Sequence, residues 1–245
     1  MAGSGHIGGQ DVHAAAQNRE FFAHDERYAR RNARLAITRN TRDVLNSQVE
    51  GARRVLDVGN GGVFDYDTSL AAEIVAVDLF LDELPPERFP ANVVVRRGSA
   101  LALPEPDGAY DVVLLSYVIH HLVGENAHDV DANAVRAVVE ATRVLEPGGR
   151  LVVVESCVPR WFHWFERRVF ALLRWLSTTR VMQHPPTLQL PAARLAGILR
   201  QHLDTVTVER IPAGWAMLQF GVPWPTPLTP ARPWLLVGSK PDTDR

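Results

Sequence analysis

The 245-residue sequence contains a single cysteine, Cys157, so no intrachain disulfide can staple the fold. It also lacks long apolar runs: charged residues break each one well short of the ~18–20 residues that a spanning helix needs. Met1-Ala2-Gly3-Ser4-Gly5 does not begin a basic-then-apolar secretion signal. These absences point to an intracellular chain, with a cytoplasmic location expected and a membrane surface still open. Neither sign of charge is in excess. With 26 basic and 28 acidic side chains and a formal charge of -2, the chain has no global positive field, which argues against nucleic acid as its partner.

What is present is enough apolar material for one compact core. Residues 1–12 read as a flexible tail and residues 13–240 as a single domain. Within it, 13–49 is rich in Ala, Arg, Glu and Leu without proline, which predicts one or two helices. Short β-branched runs then begin with Arg54-Val55-Leu56-Asp57-Val58 and Ile74-Val75-Ala76-Val77-Asp78. Others follow at Val93–Val95, Asp111–Leu115 and Leu151–Val154. They have the look of buried parallel strands. The spacing from Asp131 to Leu145 predicts an amphipathic helix, stopped by Pro147-Gly148-Gly149. This alternation implies an α/β, Rossmann-like doubly wound sheet. Residues 157–203 read as an aromatic-rich cap and a helix, and 204–240 as the C-terminal strands, at Thr205–Glu209 and Trp234–Gly238.

The most informative segment is Val55-Leu56-Asp57-Val58-Gly59-Asn60-Gly61-Gly62. A strand that ends in closely spaced glycines lets a ligand approach the backbone where a side chain would collide. Asp78 ends the next strand, where a carboxylate can accept both hydroxyls of a ribose. A dinucleotide fingerprint would require a further glycine where Phe64 stands, and Asp57 would face the pyrophosphate. An acid before the glycines instead suits a cationic ligand, such as an amino-acid ammonium or a sulfonium.

The sequence resembles the class I S-adenosylmethionine-dependent methyltransferases of the small-molecule type. The resemblance rests on five segments: the Leu56-Asp57-Val58-Gly59-x-Gly61 loop, Asp78, Gly98-Ser99-Ala100-Leu101-x-Leu103-Pro104, Tyr110-Asp111-Val112-Val113 leading to His120-His121-Leu122, and Arg143-Val144-Leu145-x-Pro147-Gly148-Gly149. They cover residues 50–156, the expected cofactor-binding core. The resemblance implies a seven-stranded sheet with its last strand antiparallel and S-adenosyl-L-methionine over the first strands. It also implies an acceptor pocket under N-terminal helices and a cap. By position, Gly59, Asn60 and Gly61 would line the methionine and ribose, Asp78 the ribose hydroxyls, and Leu79 an adenine face. Ser99 and Ala100 would flank the adenine edge, and Ser116 the amino-acid end. Two positions depart from the family's common pattern: Val63 replaces a third glycine, and Ser99 replaces an aspartate. The segment after the glycines, Phe64 to Thr68, is acidic and leaves room only for a short helix.

Methyl transfer from a sulfonium is an in-line displacement, so the protein must align donor and acceptor and take a proton from a hydroxyl acceptor. His120 and His121 follow the fourth strand and Glu155 ends the fifth, on the edge where α/β ligand sites lie. Either histidine is a candidate base, with Glu155 as its orienter. The competing reading is that one histidine packs internally and Glu155 pairs with an arginine. Cys157 is expected to be a buried hydrophobe, and the nine histidines make no zinc or two-metal spacing, so no metal is expected.

From Arg160 to Arg180 the chain mixes Trp161, Phe162, Trp164, Phe165, Phe170 and Trp175 with five arginines and a single acid, Glu166. As a helix, Phe162, Phe165, Val169, Leu172 and Leu176 form one stripe, with His163, Arg167, Arg174 and Thr178 opposite. A lid over a lipophilic acceptor, a helix resting on anionic lipid through 160–180, a homodimer contact and ordinary core all stay open. The leading expectation is a methyltransferase acting on a lipophilic small molecule, at oxygen in preference to nitrogen or carbon. The alternatives are a metabolite-binding or cyclase-like protein of the same fold without methyl transfer, and a peripheral membrane-binding module.

Overall fold

The computed structural model describes residues 36–79, 85–124, 126–177, 187–212, 215–217, 223–225 and 230–242. The expected tail 1–12, the helices expected from 13 to 35 and the cap segment 178–186 lie outside the described residues.

Helix α1 (Ala36–Val49) leads into strands β1 (Arg54–Val58), β2 (Glu73–Asp78), β3 (Val93–Arg97) and β4 (Tyr110–Ser116). Helix α2 (Asp129–Val144), strand β5 (Leu145–Cys157), and helices α3 (Arg160–Ser177) and α4 (Ala192–Leu199) follow. Strands β6 (Thr205–Arg210), β7 (Trp215–Met217), β8 (Pro223–Pro225) and β9 (Arg232–Ser239) complete the described elements. Seven strands form one sheet in the order β3-β2-β1-β4-β5-β9-β6, and β7 and β8 pair by themselves. Strands β1 to β5 are parallel, and β9 runs antiparallel between β5 and β6. This is the doubly wound, Rossmann-like sheet with its last strand reversed.

The central strands are apolar on both sides because both faces are covered. One face packs Val75, Val113 and Val153 against Ala134, Val138 and Ala141 of α2 and Leu195 and Ile198 of α4. The other packs Ile74, Val112, Leu114 and Val152 against Leu45 and Val49 of α1. Among the described side chains of α1, Thr41, Leu45 and Val49 are buried, one turn apart along a single stripe. Truncating Leu45 to Ala would cost about 2–5 kcal/mol, the range for a well-packed core leucine. Helix α2 carries Asp129 and Asp131 in its first turn and Arg143 in its last, matching its macrodipole. It ends at Val144, one residue earlier than the spacing predicts. Leu145 already pairs with Tyr110, and a register shift then lets Pro147 to Gly149 ride within β5.

Three features differ from the sequence reading. Between β1 and β2 no α-helix forms, only the 3-10 turn Thr68–Leu70, capped by Asp67 accepting the Ser69 N–H at 3.0 Å. Tyr66 and Ala71 from this connection are buried against the sheet instead. The proline-rich stretch contributes the β7–β8 pair, which the prolines concealed. On α3 the burial is rotated: Glu166 and Phe170 are buried, whereas Phe165 and Leu172 join Trp161, Trp164 and Trp175 outside. Polar contacts set this rotation. Arg167 bonds Asp131 of α2 at 3.0 Å, and His163 Nδ1 lies 2.7 Å from the Gln189 carbonyl.

Candidate active site

The carboxyl ends of β1, β2, β4 and β5 meet at one edge of the sheet. There the chain turns sharply after β1: Gly59 and Gly61 have φ of 75° and 61°, a region that strains residues with a Cβ. Space adds a second constraint at Gly59, where a Cβ would sit 2.9 Å from Val118 Cγ2. The Gly61 N–H donates to Asp78 Oδ2 at 3.1 Å, tying the loop to the end of β2.

Asp57 lies beneath this loop, buried, and accepts hydrogen bonds from Asn60 Nδ2 at 2.8 Å and the Tyr66 hydroxyl at 3.0 Å. Burial pushes its carboxyl up to about 7, with the nearby charges of Asp65 and Asp78 adding to the rise and the two hydrogen bonds opposing it. Asp65 is itself shifted upward by burial, moderated by Arg42. The loop is therefore backed by three carboxylates and followed by no helix, an arrangement hostile to a pyrophosphate and suited to a cation. At the end of β4 the Ser116 hydroxyl oxygen is buried without a hydrogen-bond partner. A buried polar atom in that condition calls for a ligand or water. These features fit S-adenosylmethionine, which carries an ammonium, a sulfonium and a ribose.

The adenine side is less specific. Ser99 makes an isolated bridge with Ala102, and its Oγ accepts the Leu101 N–H at 3.2 Å, so it caps its own turn. Ala100 is buried and Leu79 is half-buried. Val63, where a third glycine is common, is half exposed.

Across the same edge, Glu155 is fully buried and aimed at His120. Its Oε1 lies 2.6 Å from His120 Nδ1 and accepts the Ser156 N–H at 2.6 Å, while Oε2 accepts the His120 N–H at 3.2 Å. The arrangement distinguishes the two histidines: His120 pairs with the acid, and the His121 ring lies against the His120 ring at 4.1 Å between centroids. With Nδ1–H donated to Glu155, the Nε2 of His120 is the ring's acceptor. A strap formed by residues 187–190 covers the pair, donating the Leu188 N–H to the His120 carbonyl at 3.2 Å and accepting the Val158 N–H at Leu190.

Sequence reading missed Tyr117. It follows β4 with φ of 55°, the one described non-glycine residue with positive φ. Its hydroxyl lies 3.4 Å from Thr41 Oγ1 of α1, and its ring lies edge-on to His120. Burial raises its phenol well above the usual range, and Glu155 adds to the effect. Strain of this kind collects at functional sites, and a polar residue at the carboxyl end of a central strand was the signal available. Cys157 is buried and its thiol is pushed up by burial, so it is not an activated nucleophile. Asp131 is occupied by Arg167 and Arg194. Among the described residues no group of three or more His, Cys, Asp or Glu could hold a metal ion.

The doubly wound sheet of this strand order thus carries an acidic glycine loop at its carboxyl edge. Residues 56–153 match the family described as Methyltransferase domain. The chain is 31% identical over 147 residues to the demethylmenaquinone methyltransferase of Thermus thermophilus, covering 56% of this chain and 58% of that one. It is 27% identical to the ubiquinone/menaquinone biosynthesis C-methyltransferase UbiE of Shewanella oneidensis over 71% of each. Its fold aligns with the N-methyltransferase NodS of Bradyrhizobium japonicum WM9, solved with S-adenosyl-L-homocysteine. The TM-score is 0.58 at 13% identity, over 94% of this chain and 99% of that one. Residues 56–153 thus match a methyltransferase domain, and the fold around them is similar to that of solved S-adenosylmethionine-dependent methyltransferases. Three of the curated relatives are matched over only 28%, 58% and 46% of their own length. No described helix is long and apolar enough to cross a membrane.

Proposed function

We propose that this chain methylates a hydroxyl-bearing lipophilic small molecule, with S-adenosylmethionine as donor and His120 as general base. The observation that carries the reading is the buried Glu155–His120 pair, 2.6 Å apart, on the same sheet edge as the acidic glycine loop. When bound, the donor supplies an electrophilic methyl group on a sulfonium. Asp57 and the glycine-loop backbone would hold its amino-acid end together with Ser116, and Asp78 its ribose. Leu79, Ser99 and Ala100 would border the adenine. Glu155 fixes the ring orientation of His120 and its tautomer, leaving Nε2 to accept the acceptor's hydroxyl proton. The carboxylate then stabilises the imidazolium that results. Tyr117 and the strap keep water away from this pair.

The lipophilic acceptor is supported by the aromatic face of α3. Trp161, Trp164 and Phe165 are exposed beside the sheet edge, and Arg168 stacks over Trp164 at 5.1 Å. A basic, aromatic surface of this kind also suits peripheral contact with anionic lipid, from which such an acceptor would be drawn. A second reading places the methyl on carbon, because relatives are named as quinone C-methyltransferases. The same base serves both routes, since a phenolate is nucleophilic at oxygen and at its ortho carbon.

The test is calorimetric titration of S-adenosylmethionine into the wild type and Asp78→Ala, followed by turnover of hydroxylated lipophilic acceptors with a labelled methyl donor. Binding that the substitution abolishes, with label recovered in an ether, is the expected result. Label on ring carbon would select the second reading. No donor binding to folded wild type would reject methyl transfer and leave a metabolite-binding or cyclase-like protein of the same fold.

A further inference from the structure

Neighbouring parallel strands are usually joined by a crossing helix whose N-terminus adjoins the loop after the first strand. The crossing from β1 to β2 forms no α-helix, only the 3-10 turn Thr68–Leu70, so the glycine loop needs another support. Side chains supply it. The Gly62 N–H donates to Asn60 Oδ1 at 2.8 Å, Asn60 Nδ2 donates to Asp57 Oδ2 at 2.8 Å, and the Tyr66 hydroxyl donates to the same Oδ2 at 3.0 Å. One series of hydrogen bonds therefore runs from the loop backbone through a buried carboxylate to a tyrosine.

The tyrosine is itself held on several sides. Its ring is buried in the same apolar cluster as Leu45 and Val49 of α1, Val55 and Ile74, and Phe64 stands edge-on to it at 5.9 Å. Beyond it the chain is pinned twice. The Asp67 N–H donates to Asn46 Oδ1 of α1 at 2.8 Å, and Asn92 Nδ2 donates to the carbonyls of Thr68 and Ala71 at 2.8 and 3.1 Å. A hydroxyl carried on a ring fixed in this way sets where the carboxylate sits.

The same bond acts on charge. Asp57 is flanked in the sheet by Ala76 and Leu114. Burial, with Asp65 and Asp78 adding to it, takes its carboxyl to about 7 against the pull of the Asn60 and Tyr66 hydrogen bonds. Asp65 in turn faces Arg42 of α1. The Tyr66 phenol is raised by burial and by Asp57, so the hydroxyl keeps its proton and stays a donor.

We infer that Tyr66 is a positioning residue of the donor site, its hydroxyl holding the Asp57 carboxylate under the glycine loop in place of the helix that the connection lacks. The inference rests on the proposed function in one respect: S-adenosylmethionine is the ligand of this loop. Tyr66 takes no part in the chemistry. It acts through Asp57, whose charged form a bound cation favours, so removing the hydroxyl lets a proton compete better with the donor.

The experiment titrates S-adenosylmethionine into the wild type and Tyr66→Phe by calorimetry between about pH 6 and pH 8.5, and takes the ratio of the two affinities so that the ligand's own titration cancels. One hydrogen bond to a carboxylate moves its titration by roughly one pH unit. Tyr66→Phe should therefore bind the donor about tenfold more weakly at pH 6 and within about twofold of the wild type at pH 8.5. The same substitution made in Asp57→Asn should have no pH-dependent effect. Thermal melts confirm folding, which is expected because the ring and its packing are kept. A second measurement needs no variant: in buffers of different ionisation enthalpy, donor binding to the wild type should release most of one proton at about pH 6 and less as pH rises. A loss in Tyr66→Phe that is equal at every pH, no loss at all, or wild-type binding without proton release overturns the inference and leaves donor binding standing. A folded wild type that binds no donor overturns the donor reading and this inference with it.

Discussion

Replacing Asp57 with Asn should stabilise the protein while disabling it, and the gain should depend on pH. Burial moves the Asp57 carboxyl from its usual 3.8 up to about 7. Between those values the native state holds a proton that the unfolded chain releases, so stability falls as pH rises through that window. At 1.36 kcal/mol per unit, the cost is about 1.6 kcal/mol at pH 5 and about 4 kcal/mol by pH 8. Asparagine keeps a carbonyl oxygen to accept from Asn60 and Tyr66 but cannot ionise. Asp57→Asn should therefore gain roughly 2–3 kcal/mol on the wild type between pH 5 and pH 8. In a chain of this size that is about 5–10 °C in Tm. Calorimetric or fluorescence melts across that range measure it directly. The same variant should lose S-adenosylmethionine affinity, because the carboxylate that a bound cation would draw into its charged form is gone. A Tm difference that is flat with pH would refute the burial argument, and undiminished donor binding would remove Asp57 from the site.

Other expectations follow from the same geometry. Glu155→Gln preserves the shape of the buried pair but removes its charge, so kcat should fall by at least about tenfold while donor affinity is unchanged; equal turnover would remove the dyad from the mechanism. Gly59→Ala meets both a φ of 75° and a contact with Val118, and should cost about 1–3 kcal/mol in denaturant unfolding and abolish donor binding. Glu166, buried on the inner side of α3 with one oxygen unpartnered, has its carboxyl raised by burial to about 8. The native state therefore binds the extra proton and loses stability as pH rises toward 8. Corrected for the intrinsic rise of exchange with pH, protection of α3 should fall between about pH 4.5 and 8 in the wild type and not in Glu166→Gln. Finally, Trp161→Ala with Trp164→Ala should lose co-sedimentation with anionic liposomes if α3 rests on lipid, and co-sedimentation retained by the double variant would assign that face elsewhere.

The strands were legible because buried parallel strands leave continuous β-branched runs, and the glycine loop and Asp78 were legible because a close backbone approach has a residue signature. The choice between His120 and His121 was not legible. It depends on the 3-10 turn Ile119–His121, which sets one ring on Glu155 and tilts the other against the first. Periodicity misplaced the inner face of α3 because His163, Glu166 and Arg167 contact the strap and α2. Tyr117 carried a signal only in its position at a strand end.

The placement of β9 has a consequence for how the chain is made. Strands β5 and β6 do not touch each other in the ladder; each pairs with β9. Of the seven strands of the main sheet, the one that joins its two parts is therefore the last to leave the ribosome. Until residues 232–239 emerge, one edge of β5 is unpaired and β6 has no neighbour. The nascent chain is committed to a late, long-range closure, the slow kind of folding step. A shortening that removes residues 232–239 would take away the strand that holds β6 in the sheet.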